Sequence, residues 1–365
     1  MLMALVLVSG CSEVVEVGSE ADAGFPGLQD PAEDHEHDAG ETEVRPDARA
    51  EFDAGGGMSF PSPAYLCGEA PPEGAATPPR PPSYSGGSCP DLVPGMNRID
   101  TAGGSRDFLL LYPEGAAIGE ALPVVFFWHW LGGSANKFVE RGELEAAVEE
   151  QRFIAVVPEH KGDVLFRWPF SSLDSEARLQ EELGFFDDLL ACTHDVLPVN
   201  EQCVVSAGVS AGALWTSQLA IHRSEYLSSM ISLSGGTGGD GIRPWRTSAH
   251  KLPSLVLWGG PRDECVVLNF ENLSRDLSGN LERDGHFLIE CVHNCGHAVP
   301  PVTPVEGRSI FAPFWEFGFN HPYWLRDGES PYLETGLPEG FPSWCSIGRG
   351  SASMREGMCE GDSGC

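Results

Sequence analysis

The chain has 365 residues, of which 41% are hydrophobic and 21% are charged, and this is too apolar for a protein that is disordered throughout. Its formal net charge of −32 argues against nucleic acid as a partner, because a phosphate backbone is bound by Lys and Arg. The same charge disfavours docking of the protein surface on anionic lipid. We interpret it as a highly soluble surface.

The first eleven residues resemble a bacterial lipoprotein signal. Met1 to Val8 is apolar, and Val8-Ser9-Gly10-Cys11 is similar to the site where such signals are cut before a cysteine that becomes lipidated. The basic n-region and longer apolar core of an ordinary export signal are missing, so residues 1–11 are either a truncated signal or a chance match. The run is too short to span a bilayer. We expect an exported protein, secreted or held in the bacterial cell envelope by lipid on Cys11.

Residues 12–57 are acidic and rich in Ala, Asp, Glu and Gly. Such a segment buries too little apolar area to offset the entropy lost on ordering, so we predict a disordered tether. His35 and His37 within it are better explained by a solvated acidic tail than as metal ligands. Residues 58–97 are rich in Pro, Gly and Ser and predict an irregular leader before the folded domain.

Residues 98–330 alternate between short apolar runs and longer helical patterns, which predicts an α/β domain. Runs bounded by Gly and Pro suit strands buried on both faces, as in a mostly parallel central sheet with helices on both faces. The predicted strands are 108–112, 124–128, 153–157, 203–206, 230–233, 254–258 and 286–290, and the predicted helices are 135–151, 175–196, 211–223 and 268–283. The Cys-containing extension 331–365 is expected to wrap the surface.

Eleven cysteines are too many for a reducing cytosol unless they bind metal. With Cys11 lipidated, an even number remains, which suits disulfides. We expect one bond between Cys67 and Cys89 in the leader. A second is expected between Cys192, at the end of a predicted helix, and Cys203, at the start of a predicted strand.

The segment 203–214 carries the strongest functional signal. An apolar strand pattern runs into Gly208-Val209-Ser210-Ala211-Gly212, and a helix pattern follows at once. This is the setting in which G-x-S-x-G forms a nucleophile elbow, with a strained serine and glycines that prevent a clash between strand and helix. We predict Ser210 as the nucleophile and the Ala211 N–H as an oxyanion donor. The alternative is a glycine-rich turn in which Ser210 only caps the helix.

A second oxyanion donor is expected on the loop His129-Trp130-Leu131-Gly132-Gly133-Ser134, which follows an early predicted strand. Enzymes with this elbow place a backbone donor on such a glycine-bearing loop. The N–H of Trp130 or Leu131 is the predicted donor. The alternative is a simple strand-to-helix turn with Ser134 as N-cap, and both can hold together.

Two later loops offer an acid and a base in the chain order that accompanies this elbow, Ser, Asp or Glu, then His. Asp263 stands just past a predicted strand, where ligand chemistry gathers in open α/β sheets, and Glu264 is a weaker rival. His297 follows a glycine and precedes a predicted helix, which frees its side chain to reach Ser210. We favour it over His293 as the base.

The spacing Cys291-x-His293-x-Cys295-x-His297 invites comparison with zinc sites. Structural zinc sites use close Cys pairs followed by a distant second pair, and alternation along an extended loop turns these side chains to opposite sides. We therefore predict no metal here. If the acid and base loops are neighbours, a Cys265–Cys295 or Cys265–Cys291 disulfide would link them.

Residues 98–325 resemble the extracellular poly(3-hydroxybutyrate) depolymerase and feruloyl esterase group of the α/β-hydrolases. The similarity rests on Phe108 to Pro113, His129 with Gly132-Gly133, Gly184 to Asp188, Gly208 to Gly212, Asp263 and Cys295-Gly296-His297. The resemblance implies an α/β-hydrolase fold and ester cleavage through an acyl-enzyme, with Ser210, Asp263 and His297 as the triad. The group usually has Gly after the loop histidine, and Trp130 in its place predicts a narrowed acyl site or a shifted oxyanion donor.

We predict a serine hydrolase that cleaves carboxylic esters of the polyhydroxyalkanoate type or the feruloyl and acetyl type, without metal or organic cofactor. Trp130, Trp168 and Phe170 are candidate walls for an apolar substrate, although each is also explained as a core aromatic. Two alternatives stay open, a serine peptidase on the same fold and a non-catalytic, surface-displayed binding module, because a fold and a triad do not fix the substrate.

Overall fold

The structure is a computed structural model and describes residues 65–116 and 120–359. Cys11, the predicted tether at 12–57 and the first part of the predicted leader lie outside these residues. None of the described helices is both long and apolar enough to cross a membrane.

The described residues form an α/β structure built on one large sheet. Its elements are β1 (Gly95–Thr101), β2 (Gly104–Leu111), β3 (Leu122–Trp128), α1 (Ala135–Arg141), α2 (Leu144–Gln151), β4 (Ile154–Pro158), α3 (Glu176–Val196), β5 (Val199–Val209), α4 (Ala211–His222), β6 (Ser229–Leu233), β7 (Ser254–Trp258), β8 (Glu264–Cys265), β9 (Leu268–Asn269), α5 (Phe270–Asp284), β10 (Leu288–Val292), α6 (Ala312–Phe319), α7 (Tyr332–Thr335) and β11 (Cys345–Ile347).

The large sheet has the strand order β1-β2-β4-β3-β5-β6-β7-β10-β11. The six strands from β4 to β10 are mutually parallel, while β1, β2 and β11 run antiparallel to their neighbours. A short hairpin of β8 and β9 stands apart from this sheet. The mostly parallel sheet expected from the sequence is confirmed.

Side chains alternate between two buried cores, one on each face of the sheet. In β3, Phe126 and Trp128 point to the face covered by α3, α4 and α5, whereas Val125 and Phe127 point to the face covered by α1, α2 and α6. All seven β3 residues are buried. A strand covered on both faces has no polar side to alternate with, which explains its continuous apolar sequence.

The seven predicted strands and the four predicted helical regions are all present, with one helix divided. The predicted helix 135–151 breaks into α1 and α2 because Glu143 adopts a left-handed backbone with φ 49°. The predicted strand 286–290 begins later, at Leu288, since His286 is held before it by a contact between its Nδ1 and the Leu252 carbonyl. The edge strands β1 and β11 were not expected.

The disulfides differ from every predicted pairing. The bonds Cys67–Cys203, Cys89–Cys192, Cys291–Cys345 and Cys295–Cys359 are formed, and Cys265 is disulfide-bonded as well. The predicted bonds Cys67–Cys89 and Cys192–Cys203 are wrong because each leader cysteine is bonded to the domain, at β5 and at α3. Cys291 and Cys295 are bonded to the C-terminal extension, whose β11 returns along β10, so neither is available to Cys265.

His321 lies fully buried just after α6. Its ring contacts the Phe317 carbonyl through Nδ1 at 2.6 Å and the Ser330 hydroxyl through Nε2 at 2.7 Å. Because a carbonyl only accepts, Nδ1 carries the proton and the Ser330 O–H donates to Nε2. Burial lowers the pKa of His321 to about 4, so the ring is neutral in the folded protein at neutral pH.

This pKa predicts a fall in stability as the pH drops from about 6.5 towards 4. In that window the unfolded histidine binds a proton and the folded one does not, which costs about 2 kcal/mol of unfolding free energy between pH 7 and pH 5. Urea unfolding at each pH should show a shallower pH dependence for His321→Gln than for the unsubstituted chain. Identical dependences would contradict the buried neutral ring.

Candidate active site

Ser210 occupies the turn between β5 and α4 with a strained backbone. Its φ is 55° and its ψ is −118°, a conformation that non-glycine residues rarely adopt and that persists only when the surroundings fix it. The Ser210 N–H donates to the Leu233 carbonyl of neighbouring β6 at 2.9 Å. The elbow predicted from G-x-S-x-G is therefore present, and Ser210 makes no side-chain cap to α4.

Both glycines of the motif are required by contacts across this turn. A Cβ on Gly208 would lie 2.2 Å from the Gly212 carbonyl oxygen, and a Cβ on Gly212 would lie 1.9 Å from the Trp128 carbonyl oxygen. The first contact brings the start of α4 against β5, and the second brings it against the end of β3. The elbow is thus held at the carboxyl ends of two adjacent strands.

Ser210, His297 and Asp263 form one chain of hydrogen bonds. His297 Nδ1 lies 2.6 Å from Asp263 Oδ1, and His297 Nε2 lies 2.8 Å from Ser210 Oγ. Because an ionised carboxylate only accepts, Nδ1 carries the ring proton, and the Ser210 hydroxyl donates to Nε2. The exposed fractions are 6% for Ser210, 0% for Asp263 and 8% for His297, so the chain lies in a largely dehydrated environment.

Asp263 is held by two further donors on its second carboxylate oxygen. The Ser234 hydroxyl donates to Oδ2 at 2.8 Å and the Gly259 N–H donates to it at 2.7 Å. Ser234 follows β6 and has a φ of 51°, a second strained serine at the same edge of the sheet. The sequence analysis missed Ser234, although its position directly after a buried parallel strand is a signal for a site residue.

The loop after β7 carries Asp263 and is called the acid loop; the loop after β10 carries His297 and is called the base loop. They meet because β7 and β10 are neighbours in the sheet. The His293 N–H donates to the Trp258 carbonyl and the Gly296 N–H donates to the Gly259 carbonyl, each at 3.0 Å. A Cβ on Gly259 would lie 1.9 Å from the Gly296 carbonyl oxygen. This close approach of backbones carries Asp263 and His297 to the same place.

The C-terminal extension holds the base loop from outside. The Cys295–Cys359 bond lies two residues before His297, and the Arg355 N–H donates to the Val292 carbonyl at 2.9 Å. The Arg355 guanidinium also donates to the Asn294 side chain at 2.9 Å. The expectation of a helix directly after His297 is wrong, since the next described helix is α6; covalent and polar contacts position the loop instead.

The rival acid and base lie elsewhere. The exposed Glu264 accepts from the Asn269 side chain, and His293 accepts the Cys295 N–H through Nδ1. Burial lowers the pKa of His293 to about 4, which makes it a neutral structural residue of the loop. His297 in contrast stacks on Phe270 with ring centroids 4.3 Å apart, and this contact fixes the plane of the imidazole.

The predicted oxyanion donors lie beside the elbow. Ala211 is the first residue of α4, so its N–H is one of the helix donors without an intrahelical acceptor. The loop after β3 is fixed by the Gly133 N–H, which donates to the Trp130 carbonyl at 2.9 Å. Because Gly212 packs on Trp128 and on the His129 carbonyl, the loop with Trp130 and Leu131 lies next to the first turn of α4.

The predicted pocket walls need correction. Trp168 and Phe170 are 0% and 1% exposed, so they present no surface to a substrate and belong to the core. The Trp168 indole N–H donates to the His129 carbonyl at 2.8 Å and thereby holds the loop after β3. Trp130 is half-buried and packs under the Arg141 guanidinium, which lies 4.9 Å from its ring centroid, so its ring covers α1.

Solved structures with a similar fold include native sOPH, native pOPH and a pOPH variant in complex with pNPB. Each is 16% identical to this chain with a TM-score of 0.57, and the matches cover 72 to 73% of this chain and 97 to 98% of the other. No family model and no curated protein matches the chain. At this identity the likeness shows the fold alone, and the chain has the α/β-hydrolase fold that the sequence predicted.

The contact of Gly212 with β3 predicts that Gly212→Ala lowers the free energy of unfolding by at least about 2 kcal/mol, because the new methyl group overlaps backbone atoms. Gly184→Ala is the matched control. Gly184 lies inside α3 with no atom from outside its own helical turn within 4 Å of its Cβ position, so alanine there is expected to stabilise the fold by about 0.5–1 kcal/mol. Urea unfolding of both variants measures the difference, and equal effects would contradict the tight elbow.

Proposed function

We propose that this protein is a serine hydrolase that cleaves carboxylic esters through an acyl-enzyme. The observation that supports this most is the position of His297, whose two ring nitrogens lie 2.8 Å from Ser210 Oγ and 2.6 Å from Asp263 Oδ1. A hydroxyl, an imidazole and a buried carboxylate in this order are the parts of a serine triad.

In the proposed acylation, Ser210 Oγ bonds to the ester carbonyl carbon while its proton passes to His297 Nε2, and the carbonyl electron pair moves onto the oxygen. The intermediate then loses its bond to the leaving oxygen, which takes the proton from Nε2 and departs as the alcohol. Water attacks the acyl carbon in the second half, gives its proton to Nε2, and the acid leaves as Ser210 regains that proton.

The surroundings of the triad support this sequence of proton transfers. Asp263 keeps the proton of His297 on Nδ1, so Nε2 is free to accept from Ser210. The Ala211 N–H at the start of α4, with the N–H of Trp130 or Leu131, is proposed to bind the oxyanion. Hydrogen-bond donors that are fixed in advance in a dehydrated site lower the activation barrier by several kcal/mol, because they need no reorganisation during the reaction.

The choice of ester over amide rests on the resemblance of the motifs to polyhydroxybutyrate depolymerases and feruloyl esterases. The structures of pOPH and sOPH share their fold with this chain, and a pOPH variant was solved in complex with pNPB. We therefore propose polyhydroxyalkanoate-type or feruloyl and acetyl-type esters as the substrate class. The four described disulfides support an exported protein, because such bonds persist in oxidising compartments.

Replacing Ser210 by Ala is expected to reduce the turnover of p-nitrophenyl butyrate by at least about 10³-fold, since the nucleophile is removed. Ser217→Ala is the matched control, because the Ser217 hydroxyl donates to the Ala213 carbonyl one turn earlier in α4. This variant should retain the turnover of the unsubstituted chain. A series of p-nitrophenyl esters of increasing acyl length then measures the size of the acyl site.

The outcome of that series separates the alternatives. Equal turnover by the Ser210→Ala variant and the unsubstituted chain would exclude Ser210 as the nucleophile. Cleavage of peptides without cleavage of esters would identify a peptidase. A chain that turns over neither substrate would be a binding module.

The two adjacent acidic residues give a second test. Asp263→Asn is expected to lower kcat by about 10³- to 10⁴-fold, because an amide no longer holds the productive tautomer of His297. Glu264 is the next residue and is exposed, so the kcat of Glu264→Gln should stay within about twofold of that of the unsubstituted chain. Steady-state kinetics on the same ester gives both values. A larger loss in Glu264→Gln would reverse the assignment of the acid.

A further inference from the structure

His129, Glu159 and His160 form a cluster beneath the loop that follows β3. His129 comes directly after β3, and Glu159 and His160 come directly after β4, its parallel neighbour. One ligand atom from each residue lies within 4.8 Å of the other two. His129 Nε2 and Glu159 Oε2 are 3.6 Å apart, and the two imidazole rings have centroids 5.3 Å apart.

The side chain of His129 is fully buried with one nitrogen unsatisfied. Its Nδ1 lies 2.8 Å from the Trp130 carbonyl, so Nδ1 carries a proton and donates it. Nε2 has no hydrogen-bond partner among the described residues, and neither does the buried Nδ1 of His160. Two unpaired ring nitrogens beside a carboxylate are costly to bury unless something bridges them.

The guanidinium groups beside the cluster have other partners. Arg106 pairs with the Glu182 carboxylate at 2.8 Å and donates to the main-chain carbonyl of Glu159 at 3.0 Å, and Arg167 donates to the Leu131 carbonyl at 3.1 Å. Neither guanidinium is paired with the Glu159 carboxylate, which leaves that carboxylate available to a cation.

We infer that His129, Glu159 and His160 bind one divalent transition-metal ion, with Zn²⁺ the best fit. Zinc bonds to imidazole and carboxylate of about 2.0–2.2 Å place tetrahedral ligand atoms roughly 3.3 Å apart, close to the 3.6 Å between His129 and Glu159. Two imidazoles with one carboxylate favour zinc and its neighbours over Mg²⁺ or Ca²⁺, which take oxygen ligands.

Hydrogen bonds behind the ligands complete the site. The Nδ1–H of His129 donates to the Trp130 carbonyl, and Glu159 Oε1 accepts the Ala135 N–H at 2.7 Å. Such outer hydrogen bonds orient the ligands of metal sites and fix the tautomer of a ligating histidine. The proposed ion ties the loop that begins at His129 to the end of β4, and we assign it a structural role on that ground.

The test uses the full-length chain, freed of metal by a chelator and titrated with Co²⁺ or Zn²⁺ in the absence of substrate. Co²⁺ reports its coordination through visible absorption, and Zn²⁺ is counted by elemental analysis. We expect one ion per chain, and binding weakened at least about tenfold in Glu159→Gln and in His160→Gln. Glutamine at 159 keeps an acceptor for the Ala135 N–H, so the fold is disturbed little.

Two controls separate this site from other ligands in the chain. His194→Gln removes a surface histidine that is paired with Glu201, and a double variant His35→Asn with His37→Asn removes the histidines of the acidic N-terminal segment. Both variants are expected to bind Co²⁺ and Zn²⁺ as tightly as the unsubstituted chain does. Zn²⁺ should also raise the midpoint of thermal unfolding in these controls and not in His160→Gln.

Three results would overturn the inference. The first is that the unsubstituted chain binds no Co²⁺ or Zn²⁺. The second is that the ligand variants bind the ion as tightly as the controls, and the third is that binding is lost only when the histidines at 35 and 37 are replaced. In the first case the direct contact between His129 Nε2 and Glu159 Oε2 would hold the two side chains without an ion. None of these readouts uses ester turnover, so the metal site and the proposed function are tested separately.

Discussion

The arrangement of the site depends on one imidazole. His297 joins a hydroxyl on the loop after β5 to a carboxylate on the loop after β7, and it reaches them from the loop after β10. These three strands are parallel, so their carboxyl ends lie at one edge of the sheet. Ligand chemistry gathers at this edge in open α/β sheets because the loops there converge.

Close backbone packing turns this convergence into a defined geometry. Glycines allow α4 to approach the ends of β3 and β5, and allow the acid loop to cross the base loop at Gly259 and Gly296. The C-terminal extension adds the Cys295–Cys359 bond two residues before His297. A triad tolerates little displacement, since an error of about 1 Å in the position of a reacting group costs about 10²-fold in rate.

The sequence predicted the parts of the molecule that are fixed by local pattern. Apolar runs bounded by Gly and Pro predicted the parallel strands, and G-x-S-x-G between a strand and a helix predicted the elbow at Ser210. Pairings between distant segments were not predictable in this way. The partners of Cys291 and Cys295 depend on the path of the C-terminal extension, and Ser234 reaches Asp263 only because β6 and β7 are adjacent. The same holds for His129 and Glu159, which are brought together by the pairing of β3 with β4.

We propose that Ser210 is a nucleophile activated by His297. The most direct measurement is labelling of the native full-length chain with a fluorophosphonate, in which the activated oxygen displaces fluoride from phosphorus, followed by mass mapping of the product. The proposed site predicts one label per chain, located on Ser210, and loss of labelling in His297→Gln. A label on another residue, or an unlabelled native chain, would contradict it.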